Sequence, residues 1–117
     1  MGTMSAEYTC GSVRFIGDKL GSSESKNRRI SPRWTEVNVY KTEGGTYVGH
    51  IIGRSTLQGE VDIHTVHVAS HAKELVMKMK LKNRIPQPSF EALDQASGAD
   101  PSIDEALSDA EGPTFIK

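Results

Sequence analysis

The chain has 117 residues, 36% of them hydrophobic, and a formal net charge of −1. That length supports one small domain with a single core, burying roughly two thirds of its unfolded surface. A lone cysteine, Cys10, excludes an internal disulfide framework, and no apolar run approaches the roughly 20 residues that span a bilayer, so a cytoplasmic protein with no membrane partner is expected.

The near-neutral total conceals a division. Residues 1–87 hold thirteen Lys or Arg against eight acids, whereas residues 88–117 hold one Lys against seven acids. A basic body with an acidic C-terminal part can attract itself across two faces of one fold. It can also present a nucleic-acid surface with a partner-binding tail.

Residues 1–11 read as a disordered or tag-derived start: "MGT" stands ahead of a second methionine, Met4, and "MGTMSA" is not a myristoylation signal, since Ala6 stands where Ser or Thr is wanted. "SVRFIG" (12–17) reads as an opening strand, and the Ser-, Gly- and charge-rich 18–33 as a flexible basic loop. Residues 33–42 alternate cleanly: Trp34, Glu36, Asn38 and Tyr40 share one face, Thr35, Val37, Val39 and Lys41 the other. The glycines of "EGG" supply a turn, and "TYVGHII" (46–52) returns to complete a hairpin. A second turn at 53–59 leads to a strand at 60–69.

The period then changes. Ala72, Leu75, Val76 and Met79 form one helical stripe within 70–85, with Ser70 as N-cap and Lys78, Lys80 and Lys82 towards the C-terminus. Pro86 and Pro88 stop it. Short helices follow at 89–98, capped by Ser89, and at 100–112, with Asp100 as N-cap, Pro101 at N1 and an apolar face of Ile103, Leu107 and Ala110. Residues 113–117 form a tail bearing Phe115 and Ile116. The fold class expected for residues 12–112 is α+β: a four-stranded antiparallel β-meander packed by an amphipathic helix, with two short C-terminal helices.

Three of the four histidines fall within residues 61–71. On a strand, the odd offset between His64 and His67 sends them to opposite faces, and no second acid or cysteine stands at a spacing that completes a zinc site. No metal or other cofactor is therefore expected. The residues that come nearest to a site are His50, Asp62 and His64, which meet cross-strand if the turn pairs 50 with 64. His71, at a helix start, should stay neutral because the helix dipole opposes its charge.

Catalytic patterns are missing. There is no G-x-S-x-G elbow, no phosphate-cradling GxxxxGK run and no H-E-x-x-H, and Cys10 lacks a nearby base, so the chain is not expected to be an enzyme. Two binding surfaces can be read instead. Lys26, Arg28, Arg29 and Arg33 make the densest basic run, immediately before Trp34, with Tyr40 on the same strand face and Tyr47 on the next strand. Cations on phosphates and rings on bases hold single-stranded nucleic acid in this way. The preferred reading places Trp34 and Tyr40 instead in the core beneath the helices, where a single Trp usually belongs, although Glu36 and Asn38 fit awkwardly beside them. At the acidic end, Asp100, Asp104, Glu105 and Asp109 project outward, either as a solvated helix face or as spaced carboxylates imitating a phosphate backbone.

The layout "VRFIGDKL" (13–20), "WTEVNVYKTEGGTYVGH" (34–50) and "VHVASHAKELV" (66–76) resembles the EXLDI family of small bacterial proteins. The family shows a basic R-F-x-G stretch, a "vYrT..G.y" hairpin and an "eEL" helix start in the same order. The resemblance covers residues 13–76; at the C-terminus "SIDEAL" stands where the family has its acidic-hydrophobic ending, and no "LDI" is present. It implies an accessory gene product and carries over no catalytic residue. The function expected is a small non-enzymatic protein-interaction module, an accessory or inhibitor protein of a bacterium, phage or plasmid that binds a protein partner. The alternative is a nucleic-acid-binding module using residues 26–33 and Trp34. Exposed edges in so small a sheet also invite a homodimer.

Overall fold

A computed structural model describes residues 5–25, 32–81 and 83–111, with side chains as far as residue 109. Among the described residues, five strands pair antiparallel in chain order: β1 (Ala6–Cys10), β2 (Val13–Glu24), β3 (Arg33–Thr42), β4 (Tyr47–Ser55) and β5 (Ile63–Ala69). The helices α1 (Ala72–Lys78), α2 (Gln87–Ser97) and α3 (Pro101–Glu111) follow. The class is the expected α+β with an antiparallel sheet, but the sheet has five strands rather than four.

The additional strand lies in the segment read as a disordered or tag-derived start. Its signal is "TCGSV": Gly11 and Ser12 make a two-residue turn, Gly11 at φ 59°, that pairs Cys10 with Val13. β2 also takes in residues 18–24, which read as loop. The remainder of that loop, 26–31, lies outside the described residues, as do Lys82 and the tail 112–117 with Phe115 and Ile116.

β2 is long because it serves both faces of the sheet. Its first half pairs with β1 and its second half with β3, and the register shifts between Lys19 and Gly21. The extra residue is a β-bulge, which reverses the alternation of side chains along the strand. Phe15 and Lys19 face one way before it, and Gly21 pairs with Val39 on the helix-covered side after it.

The helix-covered side holds the main core. Val37, Val39 and Tyr47 meet the stripe of Leu75, Val76 and Met79, together with Ala92, Leu93 and Ala96 of α2; Ile103 and Leu107 bring in α3. α1 lies over β4 and β5, α2 over β2 and β3, and α3 packs on both helices as an outer member. At Gly21 the approach of α2 is close enough that an added Cβ would stand 2.3 Å from the Ala92 carbonyl oxygen. The α1 stripe is as expected, but the helix is capped at His71, without a side-chain bond, and closes at Met79. α2 accepts Pro88 in its first turn, where the missing amide costs nothing, so Ser89 is helical and buried. Asp100 caps α3 as expected, its Oδ1 accepting the Ser102 amide at 2.9 Å.

On the opposite side, the β1–β2 hairpin folds over the sheet and makes a second, smaller core. Tyr8, Cys10 and Phe15 pack on Tyr40, Val48 and Val66. Tyr40 is central, with ring centroids 4.6 Å from Tyr8 and 5.2 Å from Phe15. At the hairpin tip, a Cβ on Gly11 would stand 3.2 Å from Val66 Cγ2, so the tip reaches β5. The Trp34–Tyr40 face of β3 is therefore the one away from the helices. This corrects the reading that placed those aromatics beneath them, and it removes the difficulty over Glu36 and Asn38.

Candidate functional site

Beyond the hairpin, this second face becomes polar. Arg54 on β4 stands between two carboxylates on its neighbours, with Nε 2.8 Å from Glu36 Oε2 and Nη1 2.7 Å from Asp62 Oδ2. Half-buried Trp34 donates its indole N–H to the same Glu36 oxygen at 3.0 Å. Arg33 forms a fork with Glu60, Nε donating to Oε1 at 3.0 Å and Nη2 to Oε2. Those bonds, with one from Ser55, hold the Glu60 carboxyl down at about 2. Arg33, Trp34, Arg54, Val61 and Ile63 line an open cavity of about 570 Å³. Lys26, Arg28 and Arg29, the rest of the basic run, lie outside the described residues.

The two histidines do meet, by a route other than the one expected. The ladder pairs Ile52 with His64 and His50 with Val66, instead of 50 with 64. His50 and His64 are thus diagonal neighbours, with Nε2 and Nδ1 2.8 Å apart and stacked rings 5.1 Å between centroids. Asp62 is drawn to Arg54 and not to the imidazoles. Among the described residues no three His, Cys, Asp or Glu converge in a metal-binding group.

His50 is buried, and that burial, followed by the charges of His64 and Arg54, pushes its pKa down. The unfolded chain consequently takes up this proton before the folded one does, and stability falls as pH drops through the ordinary histidine range. Burial and Lys78 push His67 the same way. Urea midpoints should decline for the wild type from neutral to mildly acid pH, and decline less for His50→Gln. Parallel declines in the two proteins would remove His50 as a source of the effect.

The other predicted binding residues are mostly interior. Tyr40 is buried among the hairpin aromatics, and burial followed by Cys10 pushes its phenol pKa up. Cys10 beneath it is raised too, chiefly by burial, which makes it a poor nucleophile. Tyr47 is buried and donates its hydroxyl to Asp100 Oδ2 at 2.6 Å, where Lys41 Nζ also donates at 3.1 Å. Asp100 is therefore not part of an outward acidic surface: it is buried. Burial alone would raise its pKa, but the bonds from Tyr47, Lys41 and the Ser102 amide outweigh this and lower it. Asp104, Glu105 and Asp109 are exposed, as expected.

The sequence reading expected exposed sheet edges but did not locate the apolar one, which is formed by β5. Thr42 N–H donates to Thr46 O at 2.8 Å, which makes the even-numbered residues of β4 the ones bonded to β3. Its odd-numbered residues therefore bond Ile63, Thr65, His67 and Ala69, leaving the amides and carbonyls of His64, Val66 and Val68 pointing away from the sheet. Lys78 Nζ covers the last of these, donating to Val68 O at 2.7 Å. Beside this edge, Val61 is 79% exposed, Ile63 69% and Leu81 68%. A groove of about 320 Å³ opens beside it and leads inward between the sheet and the α1–α2 turn, lined by Thr35, Ile51, Thr65, His67, Met79 and Leu81. The available signal was the mixed alternation of "EVDIHTVHVA", in which neither face is purely apolar, as suits a strand covered on only part of its length.

No helix among the described residues is long and apolar enough to cross a membrane. Comparison with known proteins adds no relative, since no family model, curated protein or solved structure matches the chain.

Proposed function

We propose that this chain is a non-enzymatic protein-interaction module that binds through the β5 edge. The observation that supports this reading is the combination of outward backbone groups on β5 with exposed Val61 and Ile63 at its start and a groove holding Leu81 beside its middle. Strand edges of this kind are a common means of holding an extended partner segment, with main-chain bonds for affinity and side-chain pockets for selectivity. An accessory or inhibitor role fits so small a binding unit, and the EXLDI-like layout of residues 13–76 points in the same direction.

A nucleic-acid surface is the competing reading. Arg33 and Arg54 already have carboxylate partners in Glu60, Glu36 and Asp62, which lowers the positive potential they offer to phosphates. Affinity capture from lysate, with and without nuclease, should recover a protein that survives nuclease and is lost with Ile63→Arg. Material that disappears on nuclease treatment but persists with Ile63→Arg would favour nucleic acid.

A further inference from the structure

Resting on the reading of the β5 edge as an interaction surface, we infer that its occupant is a second copy of this chain, paired antiparallel along β5 with His64 opposite His64. The register follows from what is already occupied. Lys78 covers the Val68 carbonyl, so pairing is displaced towards the start of the strand, where the outward groups of His64 and Val66 have no partner among the described residues.

With His64 at the twofold axis, Val66 stands opposite Asp62 of the second copy, and about six main-chain hydrogen bonds can close. An axis perpendicular to the sheet keeps both helix layers on the same side. On that side Ile63 of the second copy arrives opposite Thr65, and its Val61 opposite His67. Thr65 and His67 are the sheet-side lining of the groove that also holds Met79 and Leu81. The chain thus carries both the exposed apolar side chains and, a few residues away on the same strand, the groove that fits them. Twofold symmetry makes the fit twice. A foreign strand would supply the main-chain bonds but has no such built-in match, and this self-complementarity decides for the second copy.

The pairing also brings the His50–His64 pairs of the two copies side by side, on the face away from the helices. The charged groups facing them are Arg54 from β4, Glu36 from β3 and Asp62 ahead of β5, already bound to one another.

The test is sedimentation of the full chain at high micromolar concentration, together with a cysteine cross-link. Wild type should sediment at twice its 12.8 kDa mass, and Ile63→Arg should weaken self-association by at least about tenfold while keeping its circular dichroism spectrum. On oxidation His64→Cys should give a covalent dimer and Thr65→Cys should not, because only position 64 meets itself. A wild-type monomer at that concentration overturns the inference, as does cross-linking through position 65 and not 64. A monomer whose captured protein partner is still lost with Ile63→Arg overturns the dimer and leaves the protein-binding reading standing.

Discussion

Gly21→Ala should destabilise the fold by about 3 kcal/mol, a large effect for the addition of one methyl group. The added carbon would stand 2.3 Å from the Ala92 carbonyl oxygen and 2.7 Å from the Ala96 amide nitrogen. Both are backbone atoms of α2, so no side chain can rotate to make room and the helix must lift from β2. Lifting it opens the layer containing Leu93 and Ala96, both fully buried. Gly44→Ala is the control, since its added carbon meets nothing closer than Thr42 Oγ1 at 3.8 Å. That variant should stay within about 0.5 kcal/mol of wild type. Thermal or urea denaturation reads both, and equal midpoints for the two variants would show that α2 does not rest on β2 at this point.

Tyr40→Ala should cost roughly 3–5 kcal/mol, the usual range for removing a large buried aromatic. Its ring is the floor on which Tyr8 and Phe15 sit, so the loss should be local in character as well as large. Hydrogen exchange should accelerate first in β1 and the first half of β2, while the amides of α2 keep more of their protection. Tyr40→Phe keeps the ring and loses the hydroxyl contact with Cys10, and should cost only about 1 kcal/mol. Uniform loss of protection across sheet and helices would mean that the hairpin is not a separately docked unit.

The parts of this fold that were readable in the sequence are those set by neighbours along the chain. The β3–β4 hairpin follows from strict alternation and two glycines, of which Gly45 takes φ 88°. α3 follows from Asp100 and Pro101, and the α1 stripe from its spacing. What could not be read depends on distant groups. Alternation divides β3 into two faces but does not say which one the helices cover; they take the Val37–Val39 side, where Gly21 lets the backbone of α2 approach the sheet closely. The bulge after Lys19 leaves no mark in composition. Asp100 reads as a cap, yet its burial depends on Tyr47, 53 residues away. The His50–His64 contact was expected for the wrong register, because β4 runs on through residues 53–55 and β5 starts only at Ile63. The apolar edge escaped notice because exposure is a property of what fails to cover a residue.

The coincidence of sheet order with chain order has a kinetic consequence. Each strand finds its partner by closing one short segment, which costs little chain entropy, so the sheet should condense early and folding should run in roughly the millisecond range. The long closures are those that bring α2 back to β2, where Gln95 accepts the Ser22 amide across 73 residues and Pro88 accepts the Ser23 hydroxyl across 65. That clasp should form last. Substitutions in α2 should therefore speed unfolding far more than they slow folding, and the lifetime of the native state is set by the helix that arrives at the end.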